Sequence, residues 1–438
     1  MRLTVVSLGI GLVLLSHPAT AQEVTTRSRL SEEVLPTPGS ALLLKAALAL
    51  ARQNNKLVQA AQLRIAEARG DLTGASLRLV NNPEFTGGAG PRVGPNTATR
   101  GRFSTDLELG VEQRFEMGGQ RAHRVERARA GVEAATASAS DIRRVVGLAV
   151  ARTFYGTHVA ERRSALLEEN ARLARELHGI AVRRLDAGEG TALKVHTARI
   201  RLAEVERRTL AARVAFDRAT VRLAELLGVP PDTRLRLGGG LPTGDTAPPA
   251  DLLVMRALRA RPDLAAAGQQ VRLAQASIGL ADAEARPDIA VGAFYGREEG
   301  ANIVTTTFRL PIPLFNKNQG ARERARATKQ RGAAEQEAVR LSIESEVRQA
   351  RLEYEHARQA LNLYTADEVD AQQESADLLR RAFEAGEVSL QDVIVVQREL
   401  LDGREGFLEA TLAVALARAQ LLAGMSSSQS GPLEGATP

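Results

Sequence analysis

Two stretches decide the fold of this chain: RRLDAGEGTALKV at residues 183–195 and RRAFEAGEVSLQDV at residues 380–393. In each, a basic pair leads to Ala-Gly-Glu, a small hydroxyl residue and then an apolar-periodic run. Glycine permits the chain to reverse direction, and Thr and Ser favour the capping position before a helix. Both stretches therefore predict a helix–turn–helix connection, with tips at residues 186–191 and 384–389, in which Thr191 and Ser389 cap the second helix.

Long proline-free spans adjoin both tips, within residues 96–229 and 314–431. An uninterrupted helix over residues 120–186 would be about 100 Å long at 1.5 Å per residue. Apolar residues recur at every seventh position in this span: Val159, Leu166, Leu173 and Ile180. A seven-residue repeat is typical of helices that supercoil against partner helices.

The two halves of the chain repeat one unit, with equivalent residues about 200 positions apart. The pairs are Leu57 with Leu264, Pro83 with Pro287, Gln120 with Gln319, Gly188 with Gly386, and Val195 with Val393. A duplication with small deletions explains the slight drift in spacing. We therefore divide the chain into a first structural repeat at residues 40–228, a Pro/Gly-rich connector at 229–250 and a second repeat at 251–424.

The two ends of the chain differ from the repeats. Residues 1–21 have a basic start, a short apolar run and a small-x-small site before Gln22, which predicts a cleaved secretory signal peptide; an uncleaved anchor is the alternative. Residues 22–39 form an N-terminal extension, and residues 425–438 are predicted to be a disordered tail. The absence of cysteine suits an oxidising compartment.

Each repeat also carries a predicted pair of strands, at about residues 83–117 and 287–315. In the first pair one parity is apolar: Phe103, Leu107, Leu109, Val111 and Phe115. The other parity is polar and includes Asp106, Glu108 and Glu112. In the second pair Val304, Phe308, Leu310, Ile312 and Leu314 share one face, and Ile289, Val291 and Tyr295 another. Strands of about ten residues are long enough to cross a membrane.

Four strands are too few to close a barrel, which needs about eight. A small β-subdomain is the alternative, but it would leave two sheet edges open. We therefore predict a fold that is mainly α with a small β part. The duplicated long helical hairpins form a periplasmic α-barrel, and the four strands are contributed to an outer-membrane β-barrel shared among chains. Two chains would supply eight strands and three would supply twelve.

No motif for catalysis, a cofactor or a metal is present. The histidines have no close ligand spacing and no cysteine is available. Gly238–Gly240 lack the Lys-Ser/Thr of a phosphate loop, and no Ser has a GxSxG context. The net charge of +6 is spread over mixed helix faces, without the basic and aromatic clusters of nucleic-acid binding. We predict that the chain is not an enzyme and has no catalytic, cofactor, metal or nucleic-acid site.

These features resemble the TolC family of outer-membrane efflux channels over nearly the whole mature chain. The resemblance rests on the duplicated layout, on NPEF and RPDI before the strand pairs, on LPIPLFNKNQGARERARA, and on both glycine-centred tips. The segment EQRFEMGGQRAHRV is similar to the heavy-metal, CzcC-like branch. The resemblance implies a homotrimer with a twelve-stranded barrel in outer-membrane lipid, an α-barrel and a closable periplasmic end.

The family also implies two partners, a periplasmic adaptor and a proton-driven inner-membrane pump of the RND type. Its adaptor contact corresponds to the tip residues Gly188, Glu189, Thr191, Gly386, Glu387 and Ser389. A tip Asp commonly precedes the Val of each half, but here Lys194 stands in the first half and Asp392 in the second. We hypothesise that these two residues approach each other, within or between protomers, and hold the end closed; the alternative is that both are solvated.

The function expected from this resemblance is a passive export duct that carries heavy-metal cations. Asp106, Glu108 and Glu112 are candidates to line the barrel, where they would give cation-friendly polarity or merely wet the lumen. Export of drugs or other small molecules by the same kind of duct is an alternative. Two alternatives from other classes are a periplasmic adaptor and a secreted coiled-coil protein. Adaptors have one hairpin, and a coiled coil needs no apolar strand faces.

Overall fold

A computed structural model of the chain describes residues 41–92, 104–242, 246–298, 301–364, 375, 378–379, 381–383, 385 and 387–425. The predicted signal peptide and N-terminal extension, Phe103, Gly386 and the tail beyond Met425 lie outside the described residues. The described elements alternate short and long helices with two pairs of strands. The helices are α1 Leu44–Asn54, α2 Lys56–Ser76, α3 Gln120–Asp186, α4 Ala192–Leu227, α5 Ala250–Ala260, α6 Pro262–Ala283, α7 Gln319–Leu361 and α8 Leu390–Met425.

The helix α3 confirms the prediction from the proline-free span, because it runs for 67 residues without a break. Its counterpart in the second repeat, α7, ends earlier, at Leu361 after 43 residues. Two similar apolar cores hold the short helices on the long ones. One joins α1 to α3 and α4 around Val150 and Leu227. The other joins α5 to α7 and α8 around Leu253 and Val347.

The long helices lie side by side in one layer. In the half that includes the tips, α3 packs against α4 and α8, and α8 packs against α7. In the half nearer the strands, α3 packs against α2 and α6, and α6 packs against α7. Among the described helices, α7 therefore lies at one side of the layer, and α2 and α4 lie at the other.

The same turn starts the long helix of each repeat. Gly119 and Asn318, which precede α3 and α7, both have left-handed backbones, with φ of 76° and 57°. The side chain of the first helical residue then accepts a bond from the backbone N–H two residues earlier, at 2.7 Å for Gln120 and 2.8 Å for Gln319. This shared geometry supports the pairing of Gln120 with Gln319 in the duplication.

The four strands form one antiparallel sheet in the order β1-β2-β3-β4. The strands are β1 Glu84–Arg92, β2 Ser104–Phe115, β3 Ile289–Glu298 and β4 Ala301–Arg309. The central pair β2–β3, in register from Leu107 with Arg297 to Phe115 with Ile289, joins the two repeats. The edges of the sheet are β1, from the first repeat, and β4, from the second.

Two details of the second strand pair differ from the sequence prediction. The strand β4 ends at Arg309, so Leu310, Ile312 and Leu314 follow it rather than continue its face. Pro311 and Pro313 interrupt this stretch, and proline has no N–H for a strand ladder. The residues assigned to separate faces also share one, since Tyr295 lies opposite Val304 and Val291 opposite Phe308.

Candidate functional site

The first tip is a tight reversal at the end of α3. Gly188 has a φ of 76°, its N–H donates to the carbonyl of Leu185 at 3.0 Å, and the N–H of Glu189 donates to the carbonyl of Arg184 at 2.8 Å. This pair of bonds is a Schellman motif, which satisfies the free carbonyls at the end of a helix. Gly188 adopts this left-handed backbone conformation without strain because it has no Cβ. Gly190 has no space for a side chain, because a Cβ would lie 2.8 Å from the backbone N of Leu185.

Both predicted caps are present. The Oγ1 of Thr191 accepts the N–H of Lys194 at 3.4 Å, at the start of α4. At the start of α8, the Oγ of Ser389 accepts the N–H of Asp392 at 3.2 Å. The Asp392 carboxylate in turn accepts the hydroxyl of Ser389 at 2.6 Å and its N–H at 3.2 Å. This reciprocal arrangement is a capping box, and its bonds to the side chain and backbone of Ser389 lower the pKa of Asp392.

The two tips are in contact with each other. The guanidinium of Arg184 lies 5.1 Å from the centroid of the Phe383 ring and donates to the Phe383 carbonyl at 3.0 Å. Such a cation–π contact contributes about 0.5–1 kcal/mol at an exposed site. Beneath it, Phe383 packs with Leu177 and Val393 in a small apolar core shared by both hairpins.

A cavity of about 250 Å³ opens between the tips. Its lining includes several of the residues predicted for adaptor contact and gating: Glu189, Lys194, Glu387 and Ser389. Asp392 is not part of this lining, and no ion pair joins it to Lys194 within the described part of the protomer. The Asp392 carboxylate instead accepts a hydrogen bond from the hydroxyl of Ser389. The intrachain form of the predicted contact is therefore absent from this structure.

The sheet has one polar and one apolar face, as the alternation in β2 predicts. Asp106, Glu108 and Glu112 lie on the same side of β2, and Glu112 forms an ion pair of 2.8 Å with Arg309 of β4. On the opposite side, large apolar side chains are exposed, including Phe85 at 70%, Val304 at 78% and Phe308 at 76%. An exposed apolar surface of this kind needs a cover of lipid or protein.

Sequence reasoning missed an aromatic residue on the polar face. Phe294 lies directly opposite Gly110 in β2 and opposite Thr305 in β4. The available signal is the dipeptide Phe294-Tyr295, because adjacent residues of a strand point to opposite faces. If Tyr295 is on the apolar face, Phe294 must be on the polar one.

Among the described residues, no group of His, Asp or Glu side chains is arranged to hold a metal ion. Long helices in a single layer, joined to four strands with an apolar outer face, define one kind of molecule. It is a protomer of a channel that is part helical and part β-barrel.

Comparison with known proteins gives the family. The outer membrane efflux protein family model matches residues 47–229 and again residues 253–425, so the chain belongs to the outer membrane efflux protein family. The two matches correspond to the two halves of the duplication. The fold is accordingly that of a periplasmic α-barrel joined to a shared outer-membrane β-barrel, and the protein is an outer-membrane efflux channel rather than an enzyme. This membership excludes the adaptor and coiled-coil alternatives.

Two relatives cover most of the chain. It is 26% identical to the cobalt-zinc-cadmium resistance protein CzcC of Cupriavidus metallidurans over 414 residues, which span 93% of this chain and 96% of that protein. It is 24% identical to the pyoverdine export outer membrane protein OpmQ of Pseudomonas putida over 390 residues, 81% of this chain and 80% of that protein.

Solved structures agree on the fold. CusC superposes with a TM-score of 0.67 at 20% identity, covering 88% of this chain and 92% of that one. The outer membrane protein VceC of Vibrio cholerae superposes with a TM-score of 0.68 at 17% identity, covering 88% and 97%.

Proposed function

We propose that three copies of this chain form the outer-membrane duct of a tripartite efflux system. The duct receives its cargo from an inner-membrane RND-type pump through a periplasmic adaptor. The observation that carries this proposal is the incomplete sheet: four strands with an exposed apolar face and unpaired edges at β1 and β4. Three such sheets supply twelve strands, and pairing of β4 with β1 of the next copy removes every edge.

The helical layer supports the same assembly. Among the described residues, large apolar side chains are exposed on both sides of the layer. On α4 they are Leu193, Ile200, Leu210, Val214 and Val221, and on α7 they are Leu341 and Leu352. Four of the α4 residues are spaced by multiples of seven, as in helices that pack against a neighbour. A head-to-tail contact of α4 with α7 closes a ring when the rotation between copies is one third of a turn.

The assembly is tested by fractionation and by gel electrophoresis. We expect the protein in the outer-membrane fraction, as a band at the trimer mass that boiling in detergent converts to the monomer. A variant with charges on the α4 border, Ile200→Glu with Leu210→Glu, should lose the trimer band. Ala211→Glu with Ala215→Glu is the matched control, because both alanines are exposed on α4 and lie outside the positions spaced by seven. A soluble periplasmic monomer of the wild type would refute the duct.

The cargo that we propose is heavy-metal cations. The support is the similarity to a cobalt-zinc-cadmium resistance protein over almost the full length of both chains, together with Asp106 and Glu108 on the polar face of the sheet. The similarity to a pyoverdine export protein makes an organic small molecule the second candidate. Growth of a deletion strain on graded cobalt, zinc and cadmium should show lower tolerance than the parent, whereas lost tolerance only to organic compounds would favour the second candidate.

We further propose that the tips form the adaptor contact and the gate. Glu189, Glu387 and Ser389 line one cavity between the tips, together with the amino end of α8, so a partner can contact both repeats at once. The gate is the pair Lys194 and Asp392 of neighbouring protomers. In planar-bilayer recordings, the double variant Lys194→Asp with Asp392→Lys should increase the leak current by less than the sum of the increases caused by the two single variants. A double variant as leaky as that sum would refute the pairing.

A further inference from the structure

The aromatic ring of Phe294 occupies an unusual place on the polar face of the sheet. Its neighbours on that face along β3 are Gly292 and Gly296, and the residue directly opposite in β2 is Gly110. Three positions around the ring thus have no side chain. Glycine inside a strand weakens it unless something approaches the backbone closely, and here the approaching group is the ring.

The ring lies against the backbone of two of these glycines. A Cβ built on Gly110 would overlap the Cδ1 and Cε1 atoms of Phe294. A Cβ on Gly292 would lie 2.7 Å from Cε2, on the other edge of the ring. The ring is therefore held flat over both strands. Cross-strand cover of a glycine by an aromatic ring is a known way to stabilise a sheet.

The orientation of the sheet fixes what this ring faces. A membrane barrel turns its apolar face to lipid and its polar face to the lumen. The apolar face of this sheet includes Phe308, Val304 and Tyr295, so Phe294 faces the lumen. Three copies would place three rings at one level of the barrel.

We propose that Phe294 sets the bore of the β-barrel, and that Gly110 and Gly292 keep the bore open because they let the ring lie flat. This inference rests on the proposed trimeric duct and adds a residue that limits the size of the solutes it passes. A side chain at either glycine would lift the ring from the sheet toward the barrel axis. All three rings would then narrow the lumen at the same level.

The test is the unitary conductance of the purified trimer in planar bilayers, compared among channels that all carry Asp392→Ala, so that the proposed gate at the tips does not limit the current. In this background Gly110→Val should reduce the conductance, and Phe294→Ala added to it should restore the value of the background channel or exceed it. Gly88→Val is the matched control, because Gly88 lies on the same face, opposite Glu108, and a Cβ there meets nothing within 4 Å. The valine side chain at position 88 occupies as much of the lumen as the one at position 110, but it does not displace the ring. We expect it to reduce the conductance less than Gly110→Val.

Phe294→Ala alone provides a second measurement that does not depend on the folding of the glycine variant. It should raise the conductance and admit larger polyethylene glycols as measured by their partition into the pore. Equal losses for the two valine variants, or no change with Phe294→Ala, would overturn the role of the ring. Failure of the duct itself is a different result, namely that the wild type forms neither trimers nor channels.

Discussion

The carboxylate of Glu405 in α8 accepts a hydrogen bond from Arg163 of α3, with 2.8 Å between its Oε1 and the arginine Nε. Its second oxygen lies 2.5 Å from an Nη atom of Arg208 in α4. The Glu405 side chain is only 9% exposed, so one carboxylate between two arginines connects the second hairpin to both helices of the first. The contact lies farther along the hairpins, toward the strands, and is separate from the apolar core at the tips.

Removal of this carboxylate should weaken the contact between the hairpins. We expect Glu405→Ala to lower the free energy of unfolding by about 1–3 kcal/mol, because it leaves two arginines without their shared partner. Thermal melting of the helical circular dichroism signal measures the effect. Glu409→Ala is the matched control, since Glu409 is 68% exposed and 3.7 Å from Arg163, and exposed pairs contribute about 0–1 kcal/mol. Equal shifts for both variants would contradict the special role of Glu405.

A second ionic cluster makes stability depend on pH. Burial acts to raise the pKa of Asp263, but the bonds from Arg261 and the charges of Arg261 and Arg144 outweigh it and hold the pKa below its ordinary value. A depressed carboxyl pKa stabilises the fold above the pKa of the unfolded chain, about 4, and this contribution is lost as the pH falls toward the folded pKa.

The melting temperature of Asp263→Asn should therefore be below that of the wild type at pH 7, and the gap should shrink below about pH 4. Asp251→Asn serves as the control, because Asp251 is 87% exposed and pairs only at the surface with Arg348. A gap for Asp263→Asn that stays constant from pH 7 to pH 3 would show that lost packing, and not the charge, causes the destabilisation.

The first tip should tolerate very little change at Gly190. A methyl group there meets the backbone of Leu185, so Gly190→Ala must displace the reversal that the proposed adaptor contact uses. We expect an efflux defect in resistance assays, with trimers still present in the outer membrane. Gly179→Ala is the control, because the added Cβ has only ordinary contact, 3.5 Å from Arg183. Normal efflux by Gly190→Ala would argue against a contact at this tip.

The turn before α7 provides a test of backbone strain. Asn318 has a φ of 57°, a conformation that costs an ordinary residue about 1–2 kcal/mol and glycine almost nothing. Asn318→Ala should therefore melt at a lower temperature than Asn318→Gly, although both lose the bond of 3.0 Å from the side-chain amide to the carbonyl of Ala281. Equal melting temperatures would show that this backbone conformation is not retained in the variants.

Elements with a strong local signal were predictable from the sequence. The proline-free span predicted an unbroken helix through α3, the glycine-centred tip predicted its end at Asp186, and the hydroxyl residues Thr191 and Ser389 predicted the starts of α4 and α8. Alternation in β2 assigned Asp106, Glu108 and Glu112 to one face. These features depend on neighbours in the chain, so the order of residues is enough to find them.

Features that depend on distant residues were not predictable in the same way. The common face of Tyr295 and Val304 follows from pairing between strands. The link between Glu405 and its arginines joins residues about 200 and 240 positions apart, and nothing in the local pattern marks them. The bond of Asp392 to Ser389, by contrast, has the spacing of a capping box and was available in the sequence.

The order of the strands makes the joint within the protomer similar to the proposed joint between protomers. Within the protomer, the last strand of the first repeat, β2, pairs with the first strand of the second repeat, β3. The proposed joint between copies pairs β4 with β1, which is again the last strand of one repeat with the first strand of another. The two joints are quasi-equivalent, so the proposed trimer would have an approximate sixfold symmetry beneath its threefold one. A single-repeat ancestor could have closed the same ring with six copies. In such a history, duplication would make alternate joints permanent and would allow the two tips, with Lys194 in one and Asp392 in the other, to diverge.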